Sequence, residues 1–151
     1  MNNEALKAEL VALFPDAVVE EGLQWVTISI DAYSWKATAR QLRTSPQLDF
    51  DFLFCLTCVD WKTQLTMVYH LTSTQHRHTL VVKSNLNREH PEIETVSDIW
   101  LTAEFHEREV FDLFGVTFKD HPDLRRLFMT DEYEGWPLRK DFEDAINMIK
   151  L

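Results

Sequence analysis

At 151 residues, with 45% hydrophobic and 12% aromatic side chains, the chain has the makings of one folded domain rather than a disordered segment, large enough to bury roughly two thirds of its unfolded surface. A formal net charge of −10 argues against a nucleic-acid partner and against direct docking on anionic lipid, since both are driven by clustered Lys and Arg. The opening MNNEALKAEL lacks the basic-then-apolar pattern of a signal peptide, no apolar run approaches the ~18–20 residues that span a bilayer, and two cysteines without an export signal fit a reducing compartment.

In chain order, Asn3 can cap a first helix that carries Leu6, Leu10 and Leu13 on one face and stops at Pro15. Val18–Glu20 and Trp25–Ile30 read as strands around a Glu21–Gly22 turn. Asp31 or Ser34 would cap a second helix with Trp35, Ala39 and Leu42 at helical spacing, ended by Ser45–Pro46. Three strands rich in β-branched and aromatic residues follow, Phe50–Val59, Leu65–Leu71 and His78–Ser84, and Glu89–Thr95 is a polar connection.

The next helix runs from an N-cap at Thr102 to a left-handed C-cap at Gly115. Its apolar arc holds Ala103, Val110, Phe111, Leu113 and Phe114, with His106 and Glu107 inside it and Phe105, Arg108, Glu109 and Asp112 outside. A carboxylate on an apolar face needs a partner, and the arginines at 125, 126 and 139 are the candidates for Glu107. For the helix's outer charges, the plain expectation is pairing one turn apart, Glu104 with Arg108 and Arg108 with Asp112. Beyond Gly115 periodicity ends, yet Leu124, Leu127, Phe128, Trp136, Leu138 and Phe142 supply anchors. An irregular segment so rich in anchors packs onto something, either its own domain or a partner. One of its arginines is expected to fold back on Glu107, Glu109 or Asp112, while Trp136 and Phe128 give it the composition of a binding hot spot.

The expected fold class is therefore α+β: a single mixed β-sheet of about five strands with helices on one face, spanning 1–118, then an extended partner-binding segment over 119–151. No phosphate loop, nucleophile elbow, di-iron pattern or iron–sulfur ligand set is present, so no catalytic, cofactor-binding or metal residue is expected in this chain. The nearest approach to a metal site is Cys55-Leu-Thr-Cys58 with His70 and His76, the basis of an alternative reading as a small zinc or redox protein. Side chains three apart on a strand point to opposite faces, which sets Cys55 and Cys58 against converging.

Glu107-Arg108-Glu109, Asp112-Leu113-Phe114, and then His121, Arg125, Leu127 and Phe128 resemble the signature of the C-subunit family of NADH dehydrogenase. The continuation through HPDLRRL, Gly135 and PLRKDF is similar to that family's tail, as are Val59-Asp60, Val68-Tyr69-His70-Leu71 and Ser97-Asp98-Ile99-Trp100 upstream. The resemblance covers about residues 50–142; Leu101, Phe105 and Trp136 stand where the family often has proline, tryptophan and histidine. It implies a cluster-free structural subunit in the peripheral arm of respiratory complex I (NDH-1), a proton-pumping NADH:quinone oxidoreductase, on the cytoplasmic face of the cell membrane. FMN, iron–sulfur clusters and quinone would then lie in partner subunits. The main neighbour would be the D subunit, similar to nickel–iron hydrogenase large subunits. The implied partner interface comprises Arg108, Asp112, His121, Pro122, Asp123, Arg125, Arg126, Phe128, Trp136, Arg139 and Lys140, with Glu107 and Glu109 in structural ion pairs. The same motif would serve a ferredoxin-driven NDH-type complex or a membrane-bound hydrogenase.

Overall fold

The structure is a computed structural model that describes residues 1–148; the last three positions of the expected C-terminal segment lie outside the described residues. Its elements are α1 (Asn3–Leu13), β1 (Val18–Glu21), β2 (Val26–Ile30), α2 (Trp35–Thr44), β3 (Phe52–Asp60), β4 (Gln64–Ser73), β5 (His78–Asn87), β6 (Glu92–Glu94), α3 (Ala103–Phe114) and β7 (Thr117–Lys119). The expected strands and helices are all present, with ends shifted by one to three residues. Among the caps, Asn2 and not Asn3 closes α1, its Oδ1 accepting the Ala5 N–H at 2.9 Å. Thr102 precedes α3 but caps nothing; its hydroxyl donates instead to the Leu53 carbonyl at 2.7 Å, tying the helix start to β3.

Five strands form one sheet in the order β1-β2-β5-β4-β3, antiparallel except for the central β2–β5 pair, so the sheet is mixed. Alternation sends Val26 and Ile28, Leu65, Met67, Tyr69 and Leu71, Leu80 and Val82, and Leu53, Leu56 and Cys58 to the face that carries the helices. Trp35 of α2 is fully buried there, its ring 4.4 Å from Tyr69 and 6.2 Å from Trp100. Trp100 can be buried because its indole N–H donates to the Phe50 carbonyl at 2.8 Å.

The polar connection at Glu89–Thr95 hides a second small sheet: β6 pairs in parallel with β7, Ile93 opposite Phe118. Three-residue strands with one buried position each are too short to show a period, and the pair forms because α3 returns the chain to the start of its own approach. Thr95 extends the join, its N–H donating to the Lys119 carbonyl at 2.9 Å. No helix among the described residues is long and apolar enough to cross a membrane.

Candidate functional site

Two sides of α3 are occupied, and a further attachment lies on β3. One side carries Ala103, Glu107, Val110 and Phe114 into the core. Glu107 is fully buried there, yet no arginine reaches it, contrary to the sequence expectation. Its carboxyl is held by the Thr95 hydroxyl and by the Val96 N–H at 2.8 Å, and Thr95 is braced in turn by Ser97. Burial dominates and pushes the Glu107 carboxyl up to about 7, against the opposing pull of those two bonds and the charge of Lys36. Lys36 itself is engaged with Asp98 and with the Thr95 carbonyl. Glu109, the other residue expected in an ion pair, is half-buried and makes none among the described residues.

A second side, solvent-facing on a helical wheel, is buried beneath the C-terminal segment. Arg108 and Asp112 are both shielded, and neither joins the expected i,i+4 pairs. Arg108 donates to the carbonyls of Arg125 and Arg126 at 3.2 and 3.3 Å, with its guanidinium 5.4 Å from the Phe105 ring. Asp112 Oδ2 accepts the backbone N–H groups of Leu127, Phe128 and Met129 at 3.1, 2.6 and 3.1 Å. Its other oxygen lies 3.5 Å from Arg126, so one arginine of the segment does fold back onto the helix. Arg126 is also set 4.6 Å from the Trp136 ring and donates to the Gly135 carbonyl at 3.0 Å.

The third attachment lies at the end of β3. Asp60 continues the inward row of Leu56 and Cys58, a costly place for a carboxylate without donors. It has four: Arg88 Nε and Nη2 at 2.9 and 2.8 Å, and the N–H groups of Lys62 and Lys140 at 2.7 and 2.9 Å. Those bonds, the arginine's first, hold its carboxyl well below the usual carboxylate range. Arg88 then reaches Asp141 at 2.7 Å, and Arg139 Nε donates to the Phe114 carbonyl at 2.7 Å. Sequence reasoning missed Asp60, Arg88, Thr95 and Asp141; a carboxylate at an inward position of an otherwise apolar strand was the available signal for the first.

The residues assigned to a partner interface therefore divide. Arg108, Asp112 and the fully shielded side chain of His121 are spent inside the chain, which corrects their assignment to an outer surface. Arg126, Trp136 and Arg139 are half-buried against α3 and its C-cap. Pro122, Asp123, Arg125, Phe128 and Lys140 remain on the surface, with Arg125 paired to Asp123 at 2.9 Å.

The Cys55, Cys58, His70 and His76 set does not converge. Cys55 stands opposite His70 on the sheet face away from the helices, whereas Cys58 points into the core, where burial pushes its thiol up to about 12. His76 lies in the β4–β5 turn and donates from Nε2 to the Pro46 carbonyl at 2.8 Å. The sheet register keeps these four apart as zinc ligands and leaves Cys58 a poor nucleophile.

Residues 28–145 match the family described as respiratory-chain NADH dehydrogenase, 30 Kd subunit. The chain is 42% identical over 136 residues to the C subunit of NADH-quinone oxidoreductase from Moorella thermoacetica, covering 89% of this chain and 90% of that one. It is 37% identical over 152 residues to the C subunit of F(420)H(2) dehydrogenase from Methanosarcina mazei, covering 97% and 96%. To the C/D subunit of NADH-quinone oxidoreductase from Phocaeicola vulgatus it is 50% identical over 103 residues, 67% of this chain but only 20% of that longer polypeptide. The C subunit from Chloroherpeton thalassium is likewise longer, the chain spanning 48% of it. In structure, the chain is similar to one in the membrane-bound sulfane sulfur reductase, an archaeal respiratory membrane complex, with TM-score 0.81, 26% identity, and 94% and 86% of the two chains covered.

Proposed function

This chain belongs to the family of the 30 kDa subunit of respiratory-chain NADH dehydrogenase, and on that footing we propose that it is a structural subunit in the peripheral arm of an NADH:quinone oxidoreductase. In this reading its main partner is the hydrogenase-like large subunit, the D subunit, and the assembly sits at the cytoplasmic face of a membrane without a span from this chain. Flavin, iron–sulfur clusters and quinone belong to partner subunits, and the enzyme activity and proton translocation to the whole complex. The observation that carries the proposal is the match of residues 28–145 together with a C-subunit relative of nearly equal length. The geometry supports a scaffold role: the charges of the family motif, Arg108 and Asp112, spend their bonds on fixing the chain's own C-terminal segment.

The experiment is to isolate the native assembly through a tag on this chain and identify its members by mass spectrometry. The hydrogenase-like large subunit, with NADH- and flavin-binding subunits, is the expected set. A chain that purifies alone, from detergent extract and soluble fraction alike, overturns the proposal. A second reading, the equivalent subunit of a related complex with another electron donor, is favoured by the Methanosarcina mazei relative, whose match is as complete. Recovery of the large subunit without NADH- and flavin-binding subunits would select it.

A further inference from the structure

We propose that Phe105, Leu127 and Phe128 form one preorganised docking ridge that inserts into an apolar recess with a lysine- and arginine-rich rim on the hydrogenase-like large subunit; this rests on the membership proposed above. Phe105, on the outer surface of α3, is 60% exposed, and Phe128, in the C-terminal segment, is 64% exposed. Arg108 ties their two elements together: its guanidinium sits 5.4 Å from the Phe105 ring while it donates to the carbonyls of Arg125 and Arg126, just before Phe128 in the chain. Leu101, in the turn just before α3, is 78% exposed and adds apolar surface at that end.

The loop's direction is fixed by its backbone. Asp112 gathers the N–H groups of Leu127, Phe128 and Met129 onto one buried oxygen, which turns the polar edge of those residues inward and leaves the side chains of Leu127 and Phe128 outside. A loop with its donors spent in this way offers no hydrogen-bonding edge to a partner strand. It offers side chains on a backbone already fixed, so little backbone ordering entropy remains to be lost on binding. Large aromatic side chains presented rigidly are the usual source of interface energy.

Charge sets the partner's rim. The basic groups nearest the ridge in sequence are paired within the chain, Arg125 with Asp123 and Arg126 with Asp112; farther along, Arg139 donates to the Phe114 carbonyl and Lys140 lies 5.7 Å from the Trp61 ring. Asp131, Glu132 and Glu134 are exposed, and they and Glu109 make no ion pair among the described residues. An apolar ridge with unpaired carboxylates close to it in sequence fits a recess bordered by lysine and arginine. The large subunit is the occupant because the C/D relatives carry both in a single polypeptide, which keeps the two within one chain's reach.

The test uses the assembled complex, isolated through a tag on the large subunit, with the ratio of this chain to it measured by quantitative mass spectrometry. Phe105→Asp with Phe128→Asp is expected to lower that ratio about tenfold or more, whereas Leu23→Asp, on an exposed hairpin residue, leaves it unchanged. Thermal melting of the separately purified double variant is expected to match wild type, since both rings already face solvent. A photo-crosslinking residue at position 128 should give an adduct with the large subunit. A normal ratio in the double variant, or an adduct with another protein of the complex, overturns the ridge while the membership stands. A wild-type chain that never co-purifies with the large subunit overturns both.

Discussion

His121 Nε2 lies 3.7 Å from Glu107 Oε2, with both side chains completely shielded from solvent. The imidazole is not the counter-ion that this distance suggests. Its Nε2–H donates to the Glu104 carbonyl at 2.9 Å and its Nδ1 accepts the Asp123 N–H at 3.0 Å, a pattern that uses both nitrogens of the neutral ring. Protonation at Nδ1 would break the second bond. Glu107 is thus a buried acid served by a hydroxyl and an amide, and its charged form is the costly one.

Glu107 should make the domain less stable as the solution becomes less acidic. Its folded pKa is raised from 4.5 to about 7, so the stability it contributes is fully present below 4.5 and is lost as pH rises through about 7. The window corresponds to roughly 3 kcal/mol. Glu107→Gln, which keeps an acceptor for the Val96 N–H and can donate to Thr95, is expected to abolish most of that decline. Urea melts at a series of pH values check this, and an unchanged decline in the variant would count against it.

Asp60 should act in the opposite direction. Its carboxyl is held down by Arg88, so its contribution is present above the ordinary aspartate value of about 4 and disappears as pH falls into the acid range. In Asp60→Asn the acid-side loss should be blunted. Hydrogen exchange at Lys140, whose N–H donates to this carboxylate at 2.9 Å, should quicken at neutral pH. Unaltered exchange there would show that Asp60 does not anchor the segment.

Asp112→Ala removes the acceptor of three N–H groups and the partner of Arg126 together. A loss of about 3–5 kcal/mol in thermal or urea unfolding is expected, because the groups left behind are partly buried and unpaired. Asp112→Asn, which can still offer one oxygen to the loop, should lose clearly less. Equal losses in the two variants would mean that the carboxylate's second oxygen and charge are what matter.

Gly115→Ala combines two penalties that a second substitution can separate. The residue sits at φ +75°, and an added Cβ would stand 2.7 Å from Cδ2 and Nε1 of Trp136. The conformational part is roughly 1–2 kcal/mol; the remainder is displacement of the tryptophan. Adding Trp136→Ala should recover the second part only, measured as a coupling energy in a double-mutant cycle. Strict additivity of the two substitutions would refute the contact.

The large sheet, its helices and the left-handed cap at Gly115 could all be anticipated, because each is announced by local chemistry: alternation, a 3.6 period, a glycine after the last apolar position. Burial of Glu107 was legible for the same reason. Its partners were not, since Thr95 and Val96 lie in a stretch with no period, and side-chain charge alone suggested arginine. Arg108 and Asp112 were misplaced because a helical wheel recognises one buried stripe. Here a second side of α3 is buried under an irregular segment whose backbone donors require a carboxylate. Such burial is polar, and hydrophobic patterning is blind to it.

The parallel pairing of β2 with β5 has a consequence for how the chain comes into being. Val26–Ile30 cannot complete the sheet until Leu80–Ser84 has left the ribosome, since these residues are its neighbours. At ~5–20 residues per second, β2 waits for seconds with Val26 and Ile28 uncovered on one edge. The β3–β4–β5 meander, joined only by short turns, is able to form first and then receive the earlier hairpin as a finished piece. Substitutions at the β2–β5 seam would therefore be felt during synthesis as well as in equilibrium stability.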